Sequence, residues 1–226
     1  MKELQVSSLY DLTHTLAASV FSAVTYPWEV LSGLKEEILR LGSTLPTEEF
    51  TEILPQVWVA KDVKIADTAS VTGPCIIDRG AEIRQGAYIR GSAVVGKGCV
   101  VGNSTELKNC ILFDSVQVPH YNYVGDSVLG YRSHLGAGAV CSNVKSDKTL
   151  VTVSVQGTKV TTGRKKLGAL LGDFAEVGCN SVLCPGTVIG KDSTVYPLSR
   201  VRGYVPSRSI WKDGNNIIKK QTKQEE

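Results

Sequence analysis

An apolar residue recurs every six positions along the middle of this chain, and few backbones can honour that spacing. From Ile65 the steps fall on Val71, Ile77, Ile83, Ile89, Val95, Val101 and Leu107, with Phe113 closing the run. Four places after most of these comes a small residue: Ala69, Cys75, Ala81, Ala87, Ala93, Cys99 and Thr105. The register slips by one residue near Val118 and Val124, and by another before Leu129 and Leu135. A second block then runs through Leu171, Val177, Leu183, Ile189, Val195 and Val201, with Ala175, Ser181, Thr187, Ser193 and Ser199 as its small partners. A helix needs an apolar period of about 3.6 and a half-buried strand a period of about 2. A sustained six suits very short strands joined by tight corners, each strand sending one aliphatic inward while the small residue packs at the corner. Three hexads close a triangular coil of about 18 residues. Such coils stack at the parallel-sheet spacing of about 4.8 Å. Gly80, Gly86, Gly91, Gly98 and Gly186 supply the backbone angles of the corners.

Repeats of this form are known to wind left-handed, against the usual right-handed crossover. The expected fold is therefore mainly β, a left-handed parallel β-helix over residues 56–210. Residues 1–55 lack the period and read as a helical cap over the open first coil, whose strand edges otherwise invite aggregation. Its clearest helix opens at Pro27 and carries Trp28, Leu31, Leu34, Ile38 and Leu41 on one face to Gly42, after a less sharply patterned helix over 8–24. An insertion at 145–167 separates the two blocks. In it Val151, Val153 and Val155 alternate, Gln156-Gly157 turns, and Lys159 to Thr162 returns, the pattern of a protruding hairpin. Residues 211–226 read as a polar tail that frays or forms one weak helix.

Composition excludes several classes. A net charge of +3 is too small to argue for nucleic acid. No apolar run approaches the roughly 20 residues of a membrane span. The six cysteines show neither CxxC spacing nor a Cys/His zinc cluster, and read as small core residues of a cytoplasmic protein. A metal hydrase on this fold needs three histidine ligands, and only His120 and His134 lie among the repeats.

Two places carry chemistry. Arg90 follows inward Ile89 and Lys108 follows inward Leu107, so the two cations stack in neighbouring coils and repel unless an anion bridges them. A phosphate is one bridge, with Arg supplying a fork and Lys a point charge; side chains splayed into solvent, or a local pairing with Glu106, are the alternatives. The second place is the turn Val118-Pro-His-Tyr-Asn-Tyr-Val-Gly-Asp126, where His120 sits near Tyr123 and Asp126. Histidine titrates near neutrality and is the commonest general base, although a lone histidine is more often structural.

The runs Glu106-Leu-Lys-Asn109, Pro119-His-Tyr-Asn-Tyr-Val-Gly-Asp126 and Leu135-Gly-Ala-Gly138, followed by Ser142-Asn143, resemble the acetyltransferase domain of bacterial and archaeal sugar-1-phosphate nucleotidyltransferases. The likeness spans roughly residues 60–205. The whole chain, through Thr162 to Asp173 and Val177 to Gly186, also looks like single-domain bacterial proteins labelled UDP-N-acetylglucosamine pyrophosphorylases. Uridylyl transfer is disfavoured, because residues 1–60 hold no Gly-rich nucleotide loop and are too short for that α/β domain. The resemblance implies an acetyl-CoA-dependent acetyltransferase acting on an aminosugar-1-phosphate, assembled as a homotrimer with its site between neighbouring prisms. By position it makes His120 the base and places Asn143 beside the amine and acetyl group. Arg90 and Lys108 fall on the sugar phosphate, and Tyr123 and His134 on the substrate. Ala137 and Cys179 line the acetyl-CoA channel. Charge alone suggests Arg202 or the 164–166 cluster for the coenzyme's phosphates. Two departures stand out: His134 occupies an asparagine position, and Thr149 stands where a basic residue belongs, with Lys145 and Lys148 nearby. A non-catalytic sugar-nucleotide-binding or scaffolding β-helix, and an O-acetyltransferase of another sugar, remain as alternatives.

Overall fold

A computed structural model describes residues 1–213 and 216–221. Short parallel strands wind the chain into a left-handed β-helix with three faces. The first face stacks Val57–Ala60, Cys75–Ile77, Ala93–Val95, Ala169–Leu171, Thr187–Ile189 and Tyr204–Val205. The second stacks Glu82–Ile83, Val100–Asn103, Gln117–His120, His134–Leu135 and Glu176–Val177. The third stacks Ser70–Val71, Tyr88–Ile89, Val140–Cys141, Val182–Leu183 and Arg200–Val201. Two longer strands, Glu106–Leu112 and Tyr123–Leu129, run unbroken round the corner between the third face and the first. Ile77, Ile83, Ile89, Val95, Val101 and Leu107 all point inward and are buried.

The two register slips lie elsewhere than the apolar pattern indicates. Tyr88 pairs with Glu106, eighteen residues on, but Ala93 pairs with Cys110, only seventeen on. The first lost residue is therefore at the corner Lys108-Asn109, where the preceding coil spends Arg90-Gly91-Ser92. Cys110 pairs with Ser127, again seventeen on, which puts the second loss at Gly125-Asp126. Asn109 and Asp126 each turn these shortened corners with a φ of +48°, a left-handed conformation that Asn and Asp tolerate better than most residues. Phe113 is consequently not an inward residue. Its ring packs against Tyr10 at 5.0 Å and Phe21 at 5.6 Å, outside the prism.

The first face is apolar on both sides. Ile76, Val94, Ile111, Val128, Leu170 and Val188 alternate with the inward residues and are themselves fully buried, as expected for strands covered on both faces. The N-terminal segment supplies much of the cover. Helix Leu34–Gly42 packs on Cys75–Ile77, Ala93–Val95 and Glu106–Leu112, and the 3-10 turn Pro27–Ser32 packs on Tyr123–Leu129. Tyr10 Oη donates to the Val128 carbonyl at 3.3 Å. The helical part of the segment thus lies along a side of the prism, and only Phe50–Leu54 covers the open edge of the first coil. The expected helix from Pro27 to Gly42 is broken at Gly33, and residues 8–24 form short turns, not one helix.

The insertion forms the hairpin Thr152–Val155 with Thr158–Thr161, but it does not protrude. Val151, Val153 and Val155 are buried, and the hairpin packs on Tyr204–Val205. Gly203 permits this approach, since a Cβ there meets the Ser154 carbonyl at 2.8 Å. Both ends of the prism close with an antiparallel strand. Phe50–Leu54 covers the edge of Val57–Ala60, and Asn216–Lys219 covers Ser209–Asp213. The polar tail therefore begins as a strand, while residues 222–226 lie outside the described residues. Five cysteines are buried and Cys179 is exposed; burial pushes the Cys75 and Cys141 thiols up to about 12. Among the described residues no helix is long and apolar enough to cross a membrane, and no cluster of His, Cys, Asp or Glu is arranged for a metal.

Ile111, fully buried on the outer side of the first face, tests the covering interaction. Ile111→Ala is expected to cost about 2–5 kcal/mol in urea denaturation, while Leu150→Ala, at an exposed apolar side chain of the insertion, changes the unfolding free energy by about 0.5 kcal/mol or less.

Candidate active site

Coil stacking sorts the candidate residues into two edges that flank the third face. His120 ends the strand Gln117–His120 and pairs with Asn103 below it. Gly102 has no Cβ, which any larger residue drives into the Pro119 carbonyl. Tyr121 turns the corner at a φ of +52°. Next comes Asn122, a buried amide in a column otherwise occupied by the small residues Ala87, Thr105, Ala139 and Ser181. Its Oδ1 accepts from the His120 backbone N–H at 3.2 Å, and its Nδ2 donates to the Gly136 carbonyl at 2.8 Å and the Ala139 carbonyl at 3.2 Å. The Asn122 side chain therefore pins the histidine turn to the coil above. The His120 ring itself is exposed and, among the described residues, has no side-chain hydrogen bond.

Ala137 and Cys179 continue upward along the same edge. Gly138 N–H donates to the His120 carbonyl at 3.0 Å and Asn180 N–H to the Ala137 carbonyl at 2.8 Å, so these turns lie one above another. His134 lies on the second face, its Nδ1 3.0 Å from Glu176 Oε2 in the next coil, and borders a recess shared with Gly136 and Cys179 on the histidine edge. The His134–Glu176 pair also borders a recess of about 450 Å³ lined by Ser115, Gln117 and Arg132.

The opposite edge holds the cations. Arg90 and Lys108 do occupy neighbouring coils, with Arg90 N–H donating to the Leu107 carbonyl at 2.9 Å. Arg90 is not left facing a like charge: its Nη1 bonds Glu106 Oε1 at 2.8 Å, which raises its pKa, and it lies over the Tyr88 ring. Lys108 is half-buried and, among the described residues, makes no ion pair. Arg202 is on this edge too, beside a recess of about 330 Å³ lined with Ser142, Lys145, Asp147 and Cys184. Within one protomer it is thus separated from Ala137 and Cys179 by the width of a face. Thr149 receives a hydrogen bond from the Lys145 ammonium, which also lies 3.4 Å from Asp147. A cation therefore reaches the place where the residue itself is neutral.

Asn109 and Asp126 at the shortened corners, and Asn143 where the insertion leaves the same corner one coil on, form a column. Asn109 Nδ2 donates to Asp126 Oδ1 at 2.7 Å, and Asn143 Nδ2 donates to Asp126 Oδ2 at 2.7 Å. Asn143 Nδ2 also reaches Tyr123 Oη at 3.2 Å. The Tyr123 ring folds back over Gly125, where a Cβ comes within 2.5 Å of its hydroxyl. Burial first, then Glu106, raises the Tyr123 pKa, so the phenol is neutral at pH 7. Arg164 turns inward rather than toward solvent. Its Nη2 lies 3.7 Å from Asp126 and its Nη1 donates to Ser32 Oγ at 2.6 Å. Burial lowers its pKa and Asp126 opposes that. Arg164 is therefore committed inside the protomer, leaving Lys165 and Lys166 as the exposed members of the basic cluster. Sequence reasoning assigned no role to Asn109, Asn122 or Asp126. The usable signal was the spacing of Asn109, Asp126 and Asn143, which matches the seventeen-residue coils.

The fold and site together define a left-handed β-helix of the hexapeptide-repeat class with a polar third face. Residues 71–167 match the GMPPB C-terminal domain family. Over 190 residues the chain is 35% identical to the bifunctional protein GlmU of Methanococcus maripaludis, covering 76% of this chain and 42% of that protein. Over 94 residues it is 37% identical to a bifunctional sugar-1-phosphate nucleotidylyltransferase/acetyltransferase of Sulfurisphaera tokodaii, covering 42% of this chain and 23% of that protein. The chain thus spans less than half the length of these relatives. Among solved structures, AntD, an N-acyltransferase from Bacillus cereus in complex with dTDP and coenzyme A, is 16% identical with a TM-score of 0.35, covering 78% of this chain and 92% of that one.

Asn122→Ala removes the amide that ties the histidine turn to its neighbours and takes a donor from the buried Ala139 carbonyl, whereas the Gly136 carbonyl keeps the Ala139 N–H at 3.1 Å. Thermal unfolding is expected to show a loss of about 1–3 kcal/mol.

Proposed function

We propose that the chain transfers an acetyl group from acetyl-CoA to the amine of an aminosugar-1-phosphate. The observation that carries this reading is the third face. A histidine with no side-chain partner among the described residues stands on a pinned turn at one edge, and two stacked cations, a phenol and an oriented amide stand across from it. The stretch matched by the family model, residues 71–167, contains these residues, and one of the curated relatives is named as an acetyltransferase. In this reading the neutral amine lies between His120 and Asn143. As the nitrogen bonds to the thioester carbon, the His120 imidazole takes one amine proton, and backbone N–H groups at the corners stabilise the oxyanion. The C–S bond then breaks, and the leaving thiolate recovers that proton from the imidazolium. Most of the acceleration comes from holding the reactants together. Arg90 and Lys108 hold the phosphate, Arg90 exchanging Glu106 for it. Tyr123 and His134 contact the sugar, and Ala137 and Cys179 line the acetyl-CoA channel with Arg202 near its phosphates.

Because the edges are separated within one protomer, the reading includes a second copy packed on the third face. Tyr88, Tyr121, Val182 and Leu198 are exposed apolar side chains there or on its edge, and a homotrimer covers them while bringing one copy's histidine to the next copy's cations. An O-acetyl acceptor is the second reading, favoured by the His134–Glu176 pair, which offers an oriented base of its own.

Thiol release from acetyl-CoA, measured with a panel of aminosugar phosphates and their unphosphorylated counterparts, tests the proposal. His120→Ala is expected to lower kcat about 10²–10⁴-fold with the fold retained, and Lys108→Ala to raise KM only for phosphorylated acceptors. A wild-type protein inert toward every acceptor, or full turnover in His120→Ala, rejects the reading.

A further inference from the structure

We propose that Asp126 is a positioning residue that fixes the amide of Asn143, and with it the direction of hydrogen bonding offered to the acceptor. The purpose assigned here rests on the acetyl-transfer reading; the column of side chains does not.

An ionised carboxylate only accepts hydrogen bonds. Its two oxygens receive the side-chain N–H groups of Asn109 and Asn143, each at 2.7 Å. A flipped Asn143 puts its carbonyl oxygen that same distance from a carboxylate oxygen, so the flip is forbidden by charge. The remaining hydrogen of the Asn143 amide points to Tyr123 Oη at 3.2 Å. Two consequences follow at the face. Asn143 Oδ1, which no donor reaches among the described residues, is left as an acceptor. Tyr123, already accepting, keeps its own hydroxyl hydrogen to donate. An acceptor beside a donor suits a neutral amine that has an adjacent hydroxyl or ether oxygen, the arrangement of a 2-amino sugar.

The rest of the column holds Asp126 rigid. It is almost fully buried, and its carbonyl accepts from Gly168 N–H at 2.8 Å. Arg164 offsets its charge from the insertion while anchoring to Ser32, and Asn109 Nδ2 lies 3.3 Å from the Leu31 carbonyl. The N-terminal segment and the insertion, which cover the first face, therefore also brace a group on the third.

The test is Asp126→Asn in the full chain, whose new amide can donate and so permits Asn143 to flip. Because Arg164 loses its partner, Asp126→Asn with Arg164→Gln is made in parallel. Side-chain ¹⁵N–H signals of Asn109 and Asn143 are expected to be slow to exchange in the wild type and to lose that protection in the variants. In the folded variants kcat/KM for the amine acceptor should fall about tenfold to hundredfold while KM for acetyl-CoA stays within about twofold. Unchanged acceptor kinetics in variants whose Asn143 signals have moved overturn the positioning role. Unmoved signals overturn the column itself. A wild type that shows the protected signals but no transfer supports the column and rejects the acetyl-transfer reading instead.

Discussion

Every side chain of the prism takes its place from the coil below it, through backbone hydrogen bonds between parallel strands. Those bonds lock the vertical spacing at about 4.8 Å, so a coil cannot slide on its neighbour without losing a whole row of them. A coil may nevertheless lose a residue at a corner, where backbone N–H and C=O groups are not all spoken for. The chain does so at Asn109 and again at Asp126. Each loss shifts the numbering of all later coils while leaving the columns in register. The polar column of Asn109, Asp126 and Asn143 exists because the two shortened corners superpose on the corner from which the insertion departs. A full-length corner, Arg90-Gly91-Ser92, precedes them and offers no such group.

That constraint explains why the solenoid was legible and its irregularities were not. Inward aliphatics such as Ile83 and Leu107 must repeat because one interior position recurs every hexad. A lost residue shows in such a pattern only at the next inward aliphatic, and here Phe113 intervened. It fell on the period yet belongs to the outer layer against Tyr10 and Phe21, which displaced the apparent slip from Asn109 to Val118. The covering of one face was also written in the sequence. Ile76-Ile77, Val94-Val95, Ile111-Leu112 and Val128-Leu129 are doubled apolar pairs, whereas Glu82-Ile83 and Tyr88-Ile89 carry one aliphatic each. Doubling repeated in successive coils of one face goes with burial on both sides and marks the side on which the N-terminal segment and the hairpin lie, whereas the pair Val182-Leu183 on the third face leaves Val182 exposed.

At the candidate site, the stacking of side chains was legible and most of their pairings were not. The adjacency of Arg90 and Lys108 follows from coil length, and Glu106 was one of the partners the sequence offered, but the choice among those partners depends on rotamers. The placement of Lys145 against Thr149 depends on a loop whose path no period describes. Asn122 shows a further limit. A carboxamide where the column calls for alanine or serine reads as a defect until its three hydrogen bonds are seen. An exception to a strict repeat is where a fold this regular can afford a special function, and both Asn122 and Asp126 are such exceptions.

The Arg90–Glu106 pair bears on how an anion would be recognised. Both side chains are substantially exposed, at 42% and 30%, so water screens their attraction and the pair is easily opened. On the acetyl-transfer reading, a phosphate arriving at this edge offers Arg90 a bidentate partner carrying more charge, and Lys108 in the adjacent coil adds a second cation at no cost in rearrangement. Glu106 is then left beside the bound anion on a neighbouring rung. It must swing into solvent, which its exposure allows, or repel the ligand. A neutral sugar makes no such exchange and leaves the pair closed. On that reading the glutamate acts as a gate on charge, holding Arg90 in place for an anion while presenting a closed ion pair to acceptors that lack one.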